Sequence, residues 1–414
     1  MYVNKPNIHL IGQAVDKVTI AGDRLDGAAG WDRSRAWYHV NAGATLEVQS
    51  GADGFYMENV TIDNENWTIG KHEGPQALSI NTDADRLVFN NLNVRSYQDT
   101  YKASGTYKRA YWHNSTIEGS VDFIYGDCDV WFENTTLNIN RKTGGYIVAP
   151  SHPAETRWGY VFNNTRITST YFTPEEGKIY LGRPWHNNPK TVFLHTQMEL
   201  QAYDGYWHET MGGIPALWAV YDIWDKNGNK MSNESIEDYW YWLDGDKTEK
   251  VTGKAKNSLT ADEVAQYTLQ NVLAGDGTSN EKTGVWNPLP VVEKTSAPVL
   301  SAGESGSISW QRVDYAICYV VTVNGKAVGF PTATSFSGLS EGDVVSVQAV
   351  SENGALSEPS AALTVVGSST AVSTIRADKG GCQYYTLDGK RVAQPRRGPN
   401  IVRSSDGTVR KVIW

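Results

Sequence analysis

Cysteine is nearly absent: Cys128, Cys318 and Cys382 are too few and too scattered for a disulfide framework or a metal site. No apolar run approaches the ~18–20 residues of a membrane span, so no spanning helix is predicted. Helical periodicity of useful length is missing before about residue 258. A signal peptide is missing as well, because Met1-Tyr2-Val3-Asn4-Lys5-Pro6 leads straight into strand-like sequence. Positive charge is scarce outside one segment. Nine Lys/Arg against three Asp/Glu from Arg376 to Trp414 put that tail at +6 and leave −15 for the rest of a chain whose net charge is −9. Such an acidic body argues against nucleic acid as a partner.

Aromatic residues are plentiful instead. Fifteen Trp and 22 Tyr supply rings for β-sheet cores, and their density between Trp207 and Trp242 also suits stacking against flat sugar faces. With 40% hydrophobic and 20% charged residues, the 414-residue chain has the composition of a folded globular protein with room for two or three domains.

The first half carries a repeat of the form aromatic-or-apolar, x, Asn, x, x, apolar. It reads Met57-Glu58-Asn59-Val60-Thr61-Ile62, and its Asn recurs at Asn91, Asn114, Asn134 and Asn164, with His195 in a degenerate copy. The spacings are 32, 23, 20, 30 and 31 residues. Short strands of period two, separated by turns and no helices, fit a solenoid of stacked β-coils better than a propeller, whose blades run ~40–45 residues. The repeated Asn is expected at one corner of successive coils, its amide bonding the next coil. That role also accounts for the sequons at Asn59, Asn114 and Asn134.

Past the repeats, Ser258-Leu-Thr-Ala-Asp-Glu-Val-Ala predicts a helix that could cap the solenoid end. The stretch from about Ala297 to Val366 alternates at Ser307–Trp310, Cys318–Val323 and Val344–Val350, with an Asn324-Gly325 hairpin turn. It resembles a fibronectin type III-like sandwich. A Ser-rich linker at Gly367–Thr370 leads to a basic tail that resembles the C-terminal sorting or anchoring segments of secreted bacterial enzymes. The predicted architecture is all-β: a right-handed parallel β-helix over 1–290, a small β-sandwich over 291–367 and a short β-rich tail over 368–414.

Two acidic residues stand in register. Asp99 follows Asn91 by eight residues, and Asp122 follows Asn114 by eight. Equal offsets in consecutive coils stack the carboxylates about one strand spacing apart, ~4.8 Å. Like charges that close resist joint ionisation, so one acid is expected to hold a proton and the other to need a cation.

The residues around them carry a family resemblance. Ser96–Gly126 resembles the heart of the pectin methylesterase family, with its QD motif at Gln98-Asp99 and its DFIFG-type motif at Asp122–Gly126, where Tyr125 replaces the usual Phe. Gln76-Ala77-Leu78-Ser79-Ile80 resembles the family's earlier glutamine motif, and Leu181-Gly182-Arg183-Pro184-Trp185 matches its LGRPW motif letter for letter. The resemblance implies acyl transfer on the methyl esters of pectin, without metal or cofactor. Asp122 would be the nucleophile, oriented by Arg183, and Asp99 the proton donor and later base. Gln76 and Gln98 would bind the oxyanion, and Trp185, Phe123 and Tyr125 the substrate.

The segment Asn4–Gly12 resembles one that in the family follows a GxYxE motif and a capping helix, neither present here. The chain is therefore expected to be truncated at its N-terminus, its signal peptide lost with the missing part. The expected protein is a secreted, cell-surface or periplasmic bacterial monomer whose partner is pectin. Two other readings compete. A carboxylate pair ~5 Å apart also suits a retaining glycosidase, which has no use for two oxyanion-binding glutamines; a lyase acting on the same polymer would want a denser acidic cluster. A non-catalytic carbohydrate-binding solenoid would not need Asp99, Asp122 and Arg183 intact.

Overall fold

The computed structural model describes residues 1–22, 44–64, 76–142, 145–274, 284–286, 295–351, 355–366, 382–404 and 407–414. The predicted Ser-rich linker at Gly367–Thr370 lies outside these. Contacts group Met1–Val366 into one compact unit and Gly367–Trp414 into a second.

The first unit begins as a parallel β-helix. Each coil gives one short strand to each of three eight-stranded parallel sheets. The first sheet runs from Tyr2–Val3 to Gln201–Ala202, the second from His9–Ile11 to Leu217–Tyr221, the third from Thr19–Gly22 to Trp224–Asp225. Parallel in-register pairing stacks like residues on like. The aromatic of the repeat therefore forms an internal column, with ring centroids 4.4 Å apart for Phe89–Trp112, 4.3 Å for Phe132–Phe162 and 4.2 Å for Phe162–Phe193. Each buried ring contributes about 1.5–3 kcal/mol.

The corner ladder exists. Asn59, Asn91, Asn114, Asn134, Asn164 and His195 all adopt left-handed backbone, with φ between 49° and 58°, a conformation that Asn tolerates better than most side chains. Asn91 Nδ2 donates to Asn59 Oδ1 at 2.7 Å and Asn134 Nδ2 to Asn114 Oδ1 at 2.6 Å. Asn164 donates instead to Glu133 Oε1 at 2.7 Å. Asp222 (φ 54°) continues the column, its carboxylate 2.9 Å from His195 Nδ1.

The predicted helix does not cap the solenoid end. Two short helices, Ala261–Val264 and Leu269–Leu273, follow the coils. Val272 and Leu273 pack on the outer face of the second sheet, against a cluster that includes Tyr111, Trp131 and Val161. That face is apolar, so covering it gains more than closing an end. Thr260 and Glu263 form a capping box at the first helix. The wholly buried Arg109 fixes the second. It donates to both carboxylate oxygens of Asp85 at 3.0 and 2.7 Å, and to the carbonyls of Leu273 at 3.0 Å and Gly284 at 2.8 Å.

Seven strands, from Leu300–Ala302 to Leu363–Thr364, form a sandwich of a three-stranded and a four-stranded antiparallel sheet. Trp310 is buried there, edge-on to Tyr319 at 5.0 Å. Asn324 (φ 51°) and Gly325 (φ 80°) make the expected hairpin turn. The backbone N–H of Leu356 donates to Glu58 Oε2 at 3.1 Å, tying the sandwich to the second sheet. The second unit is a four-stranded antiparallel sheet built from Gln383–Tyr385, Arg391–Val392, Pro399–Arg403 and Val409–Ile413. Among the described residues, no helix is long and apolar enough to cross a membrane.

Two stability tests follow from these contacts. Arg109→Ala leaves the buried Asp85 carboxylate with the half-buried Arg86 at 3.1 Å and strips the guanidinium from the Leu273 and Gly284 carbonyls, so it is expected to cost about 2–4 kcal/mol in chemical denaturation; a cost under about 1 kcal/mol would contradict this. The second test concerns Glu47, which accepts from the Asn81 amide at 2.8 Å yet is pushed up to about 7 by burial. The folded state then holds a proton that the unfolded chain has already released, so stability falls as pH rises from the ordinary carboxylate range through about 7. Glu47→Gln is expected to melt with the native protein near about pH 5 and above it near about pH 8. A melting difference independent of pH would rule this out.

Candidate active site

Register decides the geometry. Gln98 pairs with Val121 and Tyr101 with Ile124, which places Asp99 opposite Asp122 in the next coil. Asp99 N–H donates to Val121 O at 3.1 Å, and Ser120 donates to Tyr97 O through both N–H (2.7 Å) and Oγ (2.9 Å). The two acids share an unusual backbone: φ is 62° at Asp99 and 49° at Asp122. Left-handed φ off the corner column is costly for a side chain other than Gly, and it turns both carboxylates outward at the same point of successive coils.

Around Asp122 the pairing to the following coil is irregular between Val121 and Ile124. Strict alternation would put Phe123 and Tyr125 on one face. The irregularity separates them: Phe123 and Ile124 both enter the core at 0% exposure, while Tyr125 lines the outer face. Phe123 is therefore a core residue, and its expected place on the substrate face is corrected here. Gly119 makes room for it, since a Cβ there would lie 2.3 Å from Phe123 Cβ.

A cleft of about 380 Å³ lies over the pair. It is lined by Gln76, Gln98, Asp99, Asp122, Arg183, Tyr125 and Trp185. It thus gathers every anticipated site residue except Phe123. Lys102, Ala149 and Met211 also line it and were not anticipated. Lys102 follows Asp99 by three residues as Tyr125 follows Asp122, and the two are paired in register. That offset was a signal available in the sequence. Trp185 meets Tyr125 edge-on at 5.7 Å.

Arg183 grips Asp122 with two bonds, Nε to Oδ1 at 2.9 Å and a terminal nitrogen to Oδ2 at 2.6 Å. Its other face lies 4.1 Å from the Tyr146 ring, which stacks on Tyr180, which stacks on Tyr203. Burial pushes the Asp122 carboxyl up, and the Arg183 bonds and charge oppose that rise. Burial also works against the Arg183 charge, but the carboxylate outweighs it and the guanidinium is held above its usual range. The fork geometry makes this a charged pair.

The pectinesterase family model matches residues 1–276, two-thirds of the chain. The chain belongs to the pectinesterase family. The probable pectinesterase A of Aspergillus oryzae is 30% identical over 210 residues, half of this chain and 60% of that protein. A probable pectinesterase/pectinesterase inhibitor of Arabidopsis thaliana is 27% identical over 283 residues, 66% of this chain and 41% of that one. The chain thus spans about 60% or less of these curated relatives. Among solved structures, the pectin methylesterase from carrot superposes with TM-score 0.52 at 20% identity, covering 69% of this chain and 84% of that one. The enzyme from Yersinia enterocolitica gives 0.50 at 19%, covering 66% and 88%. At these identities the two structures bear on the fold alone, which they share with the β-helix described above.

Replacing the Arg183 guanidinium with a neutral amide tests the electrostatics directly. In Arg183→Gln the burial of Asp122 remains and the opposing charge goes, so its carboxyl is expected to titrate at higher pH than in the native protein. Carboxyl NMR titration reads this; an unchanged or lower value would show that Arg183 has no hold on Asp122.

Proposed function

We propose that this pectinesterase hydrolyses the methyl esters of pectin through an aspartyl acyl-enzyme. The observation that carries the reading is the stacked Asp99–Asp122 pair with Arg183 bound to one member and two glutamines in the same cleft.

An Asp122 oxygen attacks the ester carbonyl carbon. Charge moves to the carbonyl oxygen, where the Gln76 and Gln98 amides donate to it; one such donor is worth about 2.7–4 kcal/mol. The C–OCH₃ bond then breaks. Asp99, in this reading the protonated member of the pair, gives its proton to the leaving methoxide, which departs as methanol. The resulting mixed anhydride joins Asp122 to the galacturonate. Asp99, now a carboxylate, takes a proton from water as its oxygen attacks the galacturonate carbonyl. The anhydride opens, Asp122 leaves as a carboxylate, and the galacturonic acid formed gives its remaining proton to solvent. Trp185 and Tyr125 offer apolar faces to the sugar rings.

Beyond the coils, the three-plus-four-stranded sandwich supports a fibronectin type III-like module. The basic β-rich tail supports a sorting or anchoring segment of a secreted bacterial enzyme. The whole is read as a monomer acting outside the cytoplasm, since its polymer substrate is extracellular.

Methanol release from methylated pectin, with circular dichroism as the folding control, tests the roles. Asp122→Asn removes the nucleophile and is expected to lower turnover by at least about 10³-fold; retention of more than about a tenth would sink the assignment. Asp99→Asn removes the acid and base and is expected to cost about 10²–10⁴-fold. Because activity needs Asp122 ionised and Asp99 is neutral over that range, the acid limb of the pH–rate profile, which burial of Asp122 holds above the ordinary carboxylate range, is expected to stay near its wild-type position in this variant.

A further inference from the structure

Four charged side chains line the cleft among the described residues: Asp99, Asp122, Arg183 and Lys102. Three belong to the chemistry above, and Lys102 has no part in it. It stands on the outer face of the first sheet in a row that crosses successive coils, with Asn81 paired to it on one side and Tyr125 on the other. Its Nζ lies 5.9 Å from the centre of the Tyr125 ring. From the stacked aspartates to this row is three residues of strand, about 10 Å. That is within reach of a neighbouring ring when an ester sits at Asp122. Beyond Tyr125 the same row reaches Ala149, which with Trp185 and Met211 gives the cleft an apolar lining.

Pectin presents two kinds of unit, neutral methyl esters and anionic free acids. Arg183 has Nε and a terminal nitrogen committed to Asp122. An ammonium carries three donors and serves several acceptors at once. Further along the row, Glu47 is held up to about 7 by burial, so it cancels little of the Lys102 charge in mildly acidic conditions. We propose that Lys102 is a specificity residue: it binds the free carboxylate of a galacturonate unit near the one being de-esterified, so that the enzyme favours pectin already partly de-esterified. This rests on the esterase reading of the site.

The test is calorimetric binding to the full chain of two oligogalacturonates of equal length, one unesterified and one fully methyl-esterified. Wild type is compared with Lys102→Gln and Lys102→Arg. Lys102→Gln is expected to weaken the unesterified oligomer about ten-fold, the scale of one charge-assisted contact, and to leave the esterified one within about two-fold. Lys102→Arg, which keeps the charge, is expected to restore binding, and added salt to weaken wild-type binding of the acid only. In steady state, kcat/KM on partly de-esterified oligomers falls in Lys102→Gln while kcat on the fully esterified oligomer stays. Equal loss for both oligomers, or no loss for either, overturns the proposal. Binding needs no turnover, so a failure of the esterase reading shows separately, as absence of methanol release from any substrate by wild type.

Discussion

Backbone hydrogen bonds between coils hold Gln98 against Val121 and Tyr101 against Ile124, and that register puts one aspartate over another. A slip of one residue in either coil would turn a carboxylate into the core and a core ring out to solvent. The same pairing builds the aromatic column inside and the Asn ladder at the corner. Both oppose slippage, because each stacks only when every coil is in phase. Stability and site geometry are thus one constraint, and the coil that carries Asp122 is held by more than its own sequence.

The site departs from the regular pattern at its centre. Asp122 combines left-handed backbone, an irregular pairing and burial that leaves it 7% exposed. Each of these is unfavourable alone. The two Arg183 bonds offset part of the burial, and the Tyr146–Tyr180–Tyr203 stack fixes the guanidinium from behind. The carboxylate that emerges is charged, outward and held in one orientation, as a nucleophile requires.

Much of this was legible in the sequence, since the features concerned repeat. The Asn corner, the aromatic column and the equal offset of Asp99 and Asp122 are periodic, and periodicity survives without coordinates. What failed to show is local. The irregular pairing after Val121 sends Phe123 inward where alternation points it out, and a single chain gives no sign of such a defect except the small Gly119 beneath it. The helices pack sideways because the second sheet is apolar outside, a property spread over residues as distant as Tyr56 and Val192. Asp222 takes the last place in the corner column, a position that a pattern written around Asn passes over.

The central claim is that register presents Asp122, and no other acid, to the ester carbonyl. Adding hydroxylamine during turnover of a methylated oligogalacturonate intercepts an aspartyl anhydride, and peptide mass mapping then locates the modified carboxyl. Hydroxylamine can attack either carbonyl of the anhydride, so a substrate-dependent hydroxamate is expected at Asp122 or on the released galacturonate, and in neither place in Asp122→Asn. A hydroxamate at Asp99, or none on either the protein or the product while methanol is released, would contradict this.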